Sequence, residues 1–370
     1  MNAPTGRLSD RLTLPQPYLL FLGDTREASF AKTAFGLADW AADRCVGEFS
    51  AAGCTVTTGL PRLDPAAARA AGARSLVIGV ANQGGVIGES WVAILIDAME
   101  AGLDIVAGLH TRLTSVPALV EAMEAGLDIV SGLHVRLGSI PALIEASRRT
   151  GQRLIDVRTP PADIPIGTGI KRTGKRLLTV GTDCALGKKY TALALHRVFV
   201  ERGLDADFRA TGQTGIMIAG GGIPMDAVVS DFEAGAAEIL SPDAPADHWD
   251  LIEGQGSIFN PAYAAVSLGL LHGSQPDVFV VCHDPSRTVI LGMESFALPT
   301  VEEVIDLTIR LGSRTNPAIR CGGISLNTSS LGTDAAEALM AAESRRLGLP
   351  VADPIRGGAA FAALVDSCLA

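Results

Sequence analysis

The residues with the clearest chemistry lie in the run Leu177–Thr191, LLTVGTDCALGKKYT. An apolar strand leads into Gly181, a loop closes on Gly187-Lys188, and helical spacing continues through Ala192, Leu195 and Phe199 to Gly203. Backbone N–H groups at a helix start carry partial positive charge and Lys188 adds a full one, so the layout is that of a phosphate cradle. Gly181, Thr182, Asp183, Cys184, Ala185, Gly187, Lys188, Lys189 and Tyr190 are the expected cofactor-binding residues. The position after the loop lysine usually carries a hydroxyl that binds Mg²⁺. Here it is Lys189, and Thr191, two residues on, points elsewhere on the helix. A loop that keeps its anion cradle, lacks that hydroxyl and gains a second cation suits binding phosphate better than cleaving it. Coenzyme A, with a diphosphate and a 3′-phosphate, is the expected ligand, and no resident metal is expected. ATP stays open, because Asp183 or Asp250 can hold a metal through water.

Further clusters follow the carboxyl ends of strands, where α/β folds place their ligands. Thr211–Gly215 (TGQTG) follows one strand, and Asp250–Ser257 (DLIEGQGS) ends another with two carboxylates beside Gly-rich turns. These two turns are expected to meet on one rim. Asn327-Thr328 and His283-Asp284-Pro285 close two more strands. Glu253, His283 and Asp250 are the candidate acid–base groups. Gln213, Arg287, Asn327 and Arg356 are the candidate substrate ligands, the two arginines as clamps for carboxylates. Cys184 reads as a small side chain fitting a tight loop. No GxSxG nucleophile turn is present.

The elements that must position these groups are read from alternation. Short apolar runs at Tyr18–Leu22, Ser75–Val80, Leu103–Val106, Leu127–Val130 and Arg153–Val157 alternate with helical spacing such as Trp91–Glu100 and Pro141–Arg149. A second series runs Leu177–Val180, Asp207–Ala210, Trp249–Ile252, Val278–Cys282, Ile324–Leu326 and Val351–Ala352. Strand and helix at this cadence predict parallel sheets covered on both faces. The Pro- and Gly-rich stretch Thr159–Thr173 separates the series. An N-terminal Rossmann-like α/β domain over 1–160 and a C-terminal P-loop NTPase-like α/β domain over 161–370 are therefore expected. The first contains a tandem repeat: Ala98–Glu121 and Ala122–Glu145 agree at 19 of 24 positions. Two copies are too few for a solenoid, so the repeat reads as a duplicated strand–helix unit whose extra strand must widen the sheet or be extruded. His110 and His134 occupy equivalent places in the copies, which accounts for the pair without a metal.

Composition narrows the function classes. Among 370 residues, 48% are apolar and 19% charged, which excludes a disordered chain. A formal charge of −10 argues against a nucleic-acid partner. No apolar run reaches the ~18 residues of a membrane span. The six scattered cysteines lack a CxxC pair and read as reduced thiols of a cytoplasmic protein. A homo-oligomer acting on a small molecule is the expected assembly.

The long Gly181–Gly187 spacing, with Thr182-Asp183 after the first glycine, resembles the dethiobiotin synthetase branch of P-loop proteins. GTDCALGK, TGQTG, WDLIEGQGS, VCHDPSR and GISLNTS, in this order, resemble the D-glutamate N-acetyltransferase (DgcN) family, formerly the unknown-function family DUF1611. LFLGDT, GVANQGG and the GLHxRL segment are similar to its first domain, so the likeness covers nearly the whole chain; the second GLHxRL copy departs from the family pattern. The resemblance implies an α/β domain followed by a P-loop domain, and acetyl transfer from acetyl-CoA to the amine of D-glutamate in D-glutamate catabolism. Two alternatives stand beside it: an ATP-dependent ligase or carboxylase using Mg²⁺, like dethiobiotin synthetase, and a nucleotide-binding regulatory protein without catalysis.

Overall fold

A computed structural model describes residues 14–80, 89–107, 129–131 and 154–370. The repeat histidines His110 and His134, most of the GVANQGG turn and the helix expected at Pro141–Arg149 lie outside the described residues. The chain forms two compact units that divide between Pro160 and Pro161, with Gln213–Ala227 packing in the N-terminal unit.

The N-terminal unit holds a six-stranded parallel sheet in the order β2-β1-β3-β4-β5-β6. Its strands are β1 (Tyr18–Phe21), β2 (Cys45–Phe49), β3 (Ser75–Ile78), β4 (Asp104–Ala107), β5 (Ile129–Ser131) and β6 (Leu154–Asp156). Helices α1 (Lys32–Trp40), α2 (Pro65–Ala70) and α3 (Glu89–Glu100) connect the first four. The two repeat copies supply β4 and β5, paired Ile105 to Ile129 through Ala107 to Ser131, so the duplication widens the sheet. Parallel strands buried on both faces need continuous apolar runs, and β1 and β3 meet that demand with every residue buried. β2 escapes an apolar-run search because Gly47 and Glu48 interrupt it. Glu48 is buried at the sheet edge, where its carboxylate accepts hydrogen bonds from the Thr57 hydroxyl and from the Thr58 amide and hydroxyl. The segment Gln213–Ala227 begins with helix α5 (Gln213–Ala219). It is fixed by the Tyr18 hydroxyl, which donates to Met217 O at 3.2 Å, and by Arg44, which donates to Ile218 O at 2.7 Å.

The C-terminal unit holds a second parallel sheet in the order β14-β13-β10-β7-β9-β8. These strands are β7 (Lys175–Gly181), β8 (Ala206–Arg209), β9 (Trp249–Ile252), β10 (Val278–His283), β13 (Arg320–Leu326) and β14 (Val351–Ala352). The helices are α4 (Lys188–Glu201), α6 (Glu233–Leu240), α7 (Ala264–Ser274), α8 (Val301–Gly312), α9 (Thr333–Leu347) and α10 (Gly358–Leu369). The central strands are sealed by fully buried Leu177, Leu251, Val280 and Ile324. Phe199 meets Trp249 edge-on with ring centroids 5.3 Å apart. From β7 the chain leaves to one side, toward β8 and β9. From β10 it leaves to the other, toward β13 and β14. The boundary between β7 and β10 is thus the point where strand order reverses, and in open α/β sheets ligands bind outside the strand ends at such a point. A small antiparallel hairpin, β11 (Val289–Ile290) with β12 (Met293–Ala297), interrupts the path from β10 to α8. Among the described residues no helix is long and apolar enough to cross a membrane.

Candidate active site

The phosphate loop leaves the centre of the C-terminal sheet. Gly187 precedes α4 with φ of 111°, a backbone state open to glycine without strain. Lys188 is the first residue of α4, is only 7% exposed, and folds its ammonium onto Asp183 O at 2.7 Å. Burial lowers its pKa, against the raising influence of Cys184, Cys282, Asp183 and Glu253. Ala185 takes φ of 54°, unfavourable for a residue with a Cβ. The loop is held from outside: Arg287 donates to Cys184 O and to Ala185 O, both at 2.9 Å. Asp183 is fully buried. One of its oxygens accepts from the Asn260 amide at 2.9 Å, and the other from Leu291 N, in the hairpin turn, at 2.8 Å. Burial raises the Cys184 pKa despite nearby Lys188, which keeps the thiol protonated at neutral pH.

The Thr191 hydroxyl, two residues past Lys189, donates to Gly187 O or shares a proton with Ser325 at 2.7 Å. Lys189 stands at the usual hydroxyl position with its ammonium 4.9 Å from the centre of the Tyr190 ring.

Two Gly-rich turns meet beside the loop, as their sequences suggest. Glu253 Oε2 accepts from the amides of Thr211 and Gly212, each at 3.0 Å, while the Thr211 hydroxyl donates to Glu253 O at 2.6 Å. Gln255 donates to the Thr211 hydroxyl at 3.0 Å. Gly254 must be glycine, since a Cβ there would lie 1.7 Å from Thr179 O. Burial pushes the Glu253 carboxyl above its ordinary value, opposed by Lys189, the two amides and Lys188.

Across the β7–β10 boundary, His283 Nδ1 lies 3.0 Å from the Thr182 hydroxyl. Burial holds this imidazole below its ordinary value, so the ring is neutral at pH 7. His283 also lines a cavity of about 430 Å³.

The remaining candidates are placed apart from the loop rim or are engaged in fixing turns. Asp250 is three residues before Glu253, roughly 10 Å along an extended strand. It is buried against Arg209 and Ser241, each at 2.5 Å, and His248 at 3.2 Å. Arg356 spends its guanidinium on Thr328 and Leu331, and Asn327 reaches Asp284 at 3.5 Å. Gln213 opens α5 in the N-terminal unit, where Arg158 approaches its side-chain oxygen at 3.5 Å. Asp207, His248 and Asp250 offer ligand atoms within 4.8 Å of one another, but Arg209 pairs with both carboxylates and offsets one of their two charges. Sequence reading missed Asn260 and the loop-clamping role of Arg287. Asn260 follows the EGQGS turn and precedes Pro261, a turn signal but not one that reveals Asp183 as its partner.

Comparison with known proteins agrees with this architecture. The P-loop domain of the family DUF1611, a domain of unknown function, matches residues 165–364, and the family's Rossmann-like domain matches residues 49–121 and 114–160. This chain belongs to the DUF1611 family. A crystal structure of a DUF1611 family protein from Anabaena variabilis superposes with a TM-score of 0.74 at 31% identity, over 96% of this chain and 99% of that one. Two relatives bear the name D-glutamate N-acetyltransferase. The protein from Tritonibacter scottomollicae is 45% identical over 96% of this chain and 98% of its own. The protein from a Pseudoalteromonas species is 44% identical over 97% and 99%. The second match of the Rossmann-like domain overlaps the first within the tandem repeat, as a duplicated segment requires.

Proposed function

We propose that the protein is an acyltransferase that moves an acetyl group from acetyl-CoA to the amino group of D-glutamate. The observation that carries the proposal is full-length similarity, at 45% and 44% identity, to two proteins of that name. The loop chemistry supports it. Lys188 and the α4 N-terminus favour phosphate, and Lys189 in place of a metal-binding hydroxyl favours holding phosphate over transferring it.

The reaction asks for few parts. The D-glutamate ammonium loses a proton, its nitrogen attacks the thioester carbonyl, the C–S bond breaks, and the leaving sulfur takes a proton to give free coenzyme A. His283, neutral and facing a cavity, is the proposed base. Glu253, buried beside two lysines, is proposed to balance their charge and to take the same proton role where substrate reaches it. Gln213, Asn327 and Arg356 remain proposals as site residues, with Arg287 acting through the loop and Asp250, held by Arg209, Ser241 and His248, serving the fold. The proposal extends to a cytoplasmic homo-oligomer working on a small molecule without nucleic acid.

The test is a coenzyme A release assay with D- and L-glutamate, run beside ATP hydrolysis with Mg²⁺. Coenzyme A release that depends on D-glutamate, with N-acetyl-D-glutamate as product, is expected. ATP hydrolysis without acetyl transfer would replace the proposal with the ligase alternative.

A further inference from the structure

The cavity beside His283 has a floor of Ile324 and Leu326, at the carboxyl end of β13, and apolar walls from Val301, Leu339 and Leu347. Its volume of about 430 Å³ falls within the ~300–1,000 Å³ typical of small-molecule sites. Glu302, Glu343 and Arg346 stand at its rim, with Arg346 ion-paired to both carboxylates, so the rim carries one net negative charge. His283 joins this cavity to the phosphate loop through its contact with Thr182, and the junction lies at the β7–β10 reversal of strand order.

We infer that this cavity receives the acylated pantetheine arm of coenzyme A, an inference that rests on acetyl-CoA being the donor. The arm is uncharged, a chain of alkyl and amide groups, and suits apolar walls. Glutamate, with two carboxylates, would meet a negative rim and a floor without a cation. A donor anchored by its phosphates on the Lys188 loop passes His283 on the way into the cavity, which brings its thioester alongside the imidazole. The amine then approaches on the loop side of His283 and gives its proton to the imidazole as nitrogen bonds the carbonyl carbon. The C–S bond breaks, and the sulfur takes that proton from His283 to leave as the free thiol.

Filling the cavity tests this. In Leu339→Trp, a half-buried wall residue of α9 is enlarged into the space. Binding of coenzyme A and of adenosine 3′,5′-bisphosphate, which lacks the arm, is measured for wild type and variant. The expected result is bisphosphate binding unchanged, which also reports an intact fold, with coenzyme A weakened roughly 10-fold or more. Leu347→Trp fills the same space from another position, and serves if the first variant does not fold. Coenzyme A binding equal to wild type in a folded variant overturns the cavity assignment and leaves the donor standing. Failure of wild type to bind either compound overturns the donor, and the cavity assignment with it.

Discussion

The two ends of the C-terminal sheet both bury charged side chains, yet only one of them carries a glycine loop at a helix start. At the amino ends of β7 and β9, with Arg209 reaching in from the last residue of β8, the buried charged side chains join one hydrogen-bonded network. Arg176 is fully buried and donates to Ser241, which donates to Asp250, which accepts from Arg209, and His248 bridges Asp205 and Asp250. At the carboxyl ends, Lys188 donates to the Asp183 carbonyl, Glu253 lies near Lys188 and Lys189, and the Asp183 carboxylate accepts from Asn260 and Leu291 and pairs with Arg287 at 3.5 Å. Closed networks fix a fold; a glycine loop that opens a helix presents its backbone N–H groups and a lysine to an anion. On the proposed reading, the same residue types serve the fold at one end and binding at the other.

The largest effect is expected at the closed end. Asp250→Ala leaves Arg209 and His248 without their buried acceptor, and removing one partner of such a pair typically costs about 3–5 kcal/mol. Chemical denaturation reads the loss. If Asp250→Ala keeps full stability and instead loses turnover, Asp250 belongs to the chemistry and the contrast between the ends fails.

Next comes the loop clamp. Arg287→Ala frees the carbonyls of Cys184 and Ala185, and charge-assisted hydrogen bonds of this kind are worth ~1.5–3 kcal/mol. The KM for acetyl-CoA should rise roughly 10-fold or more, with that for D-glutamate little changed. Arg287→Lys should recover only part, since a lysine cannot span both carbonyls. A selective rise in the D-glutamate KM would make Arg287 a substrate clamp.

The smallest effect sharpens the comparison through pH. Burial lowers the His248 pKa, but its bonds to Asp205 and Asp250 outweigh this and the net shift is upward. A raised folded-state pKa contributes stability that is complete below the unfolded value near 6.5 and is lost as pH rises through the folded value. His248→Gln should therefore lower Tm more at about pH 6 than at about pH 9. Equal losses at both would mean that the imidazole contributes shape and not charge.

The strands were legible because buried parallel strands demand apolar runs, and Trp249–Ile252 and Val351–Ala352 fall where the runs do. The loop and the meeting of TGQTG with EGQGS were legible because glycines and hydroxyls mark tight turns at strand ends. β2 was hidden by its buried Glu48, and the β11–β12 hairpin by its short strands, of which β12 is mostly exposed. What Arg287, Asp183 and Arg356 touch was hidden for another reason. Arg287 contacts residues more than a hundred positions away, and local spacing carries no record of such a pairing. Asp250 and Glu253 look alike in the sequence; the length and pleat of β9 send them to different ends.

The claim that the loop holds the phosphates of coenzyme A is tested most directly by calorimetric titration of coenzyme A into wild type and Lys188→Ala, in EDTA without Mg²⁺. Wild type should bind without metal, and Lys188→Ala roughly 10- to 150-fold more weakly, the equivalent of ~1.5–3 kcal/mol. Equal affinity of the two proteins, or wild-type binding only after Mg²⁺ is restored, would contradict it.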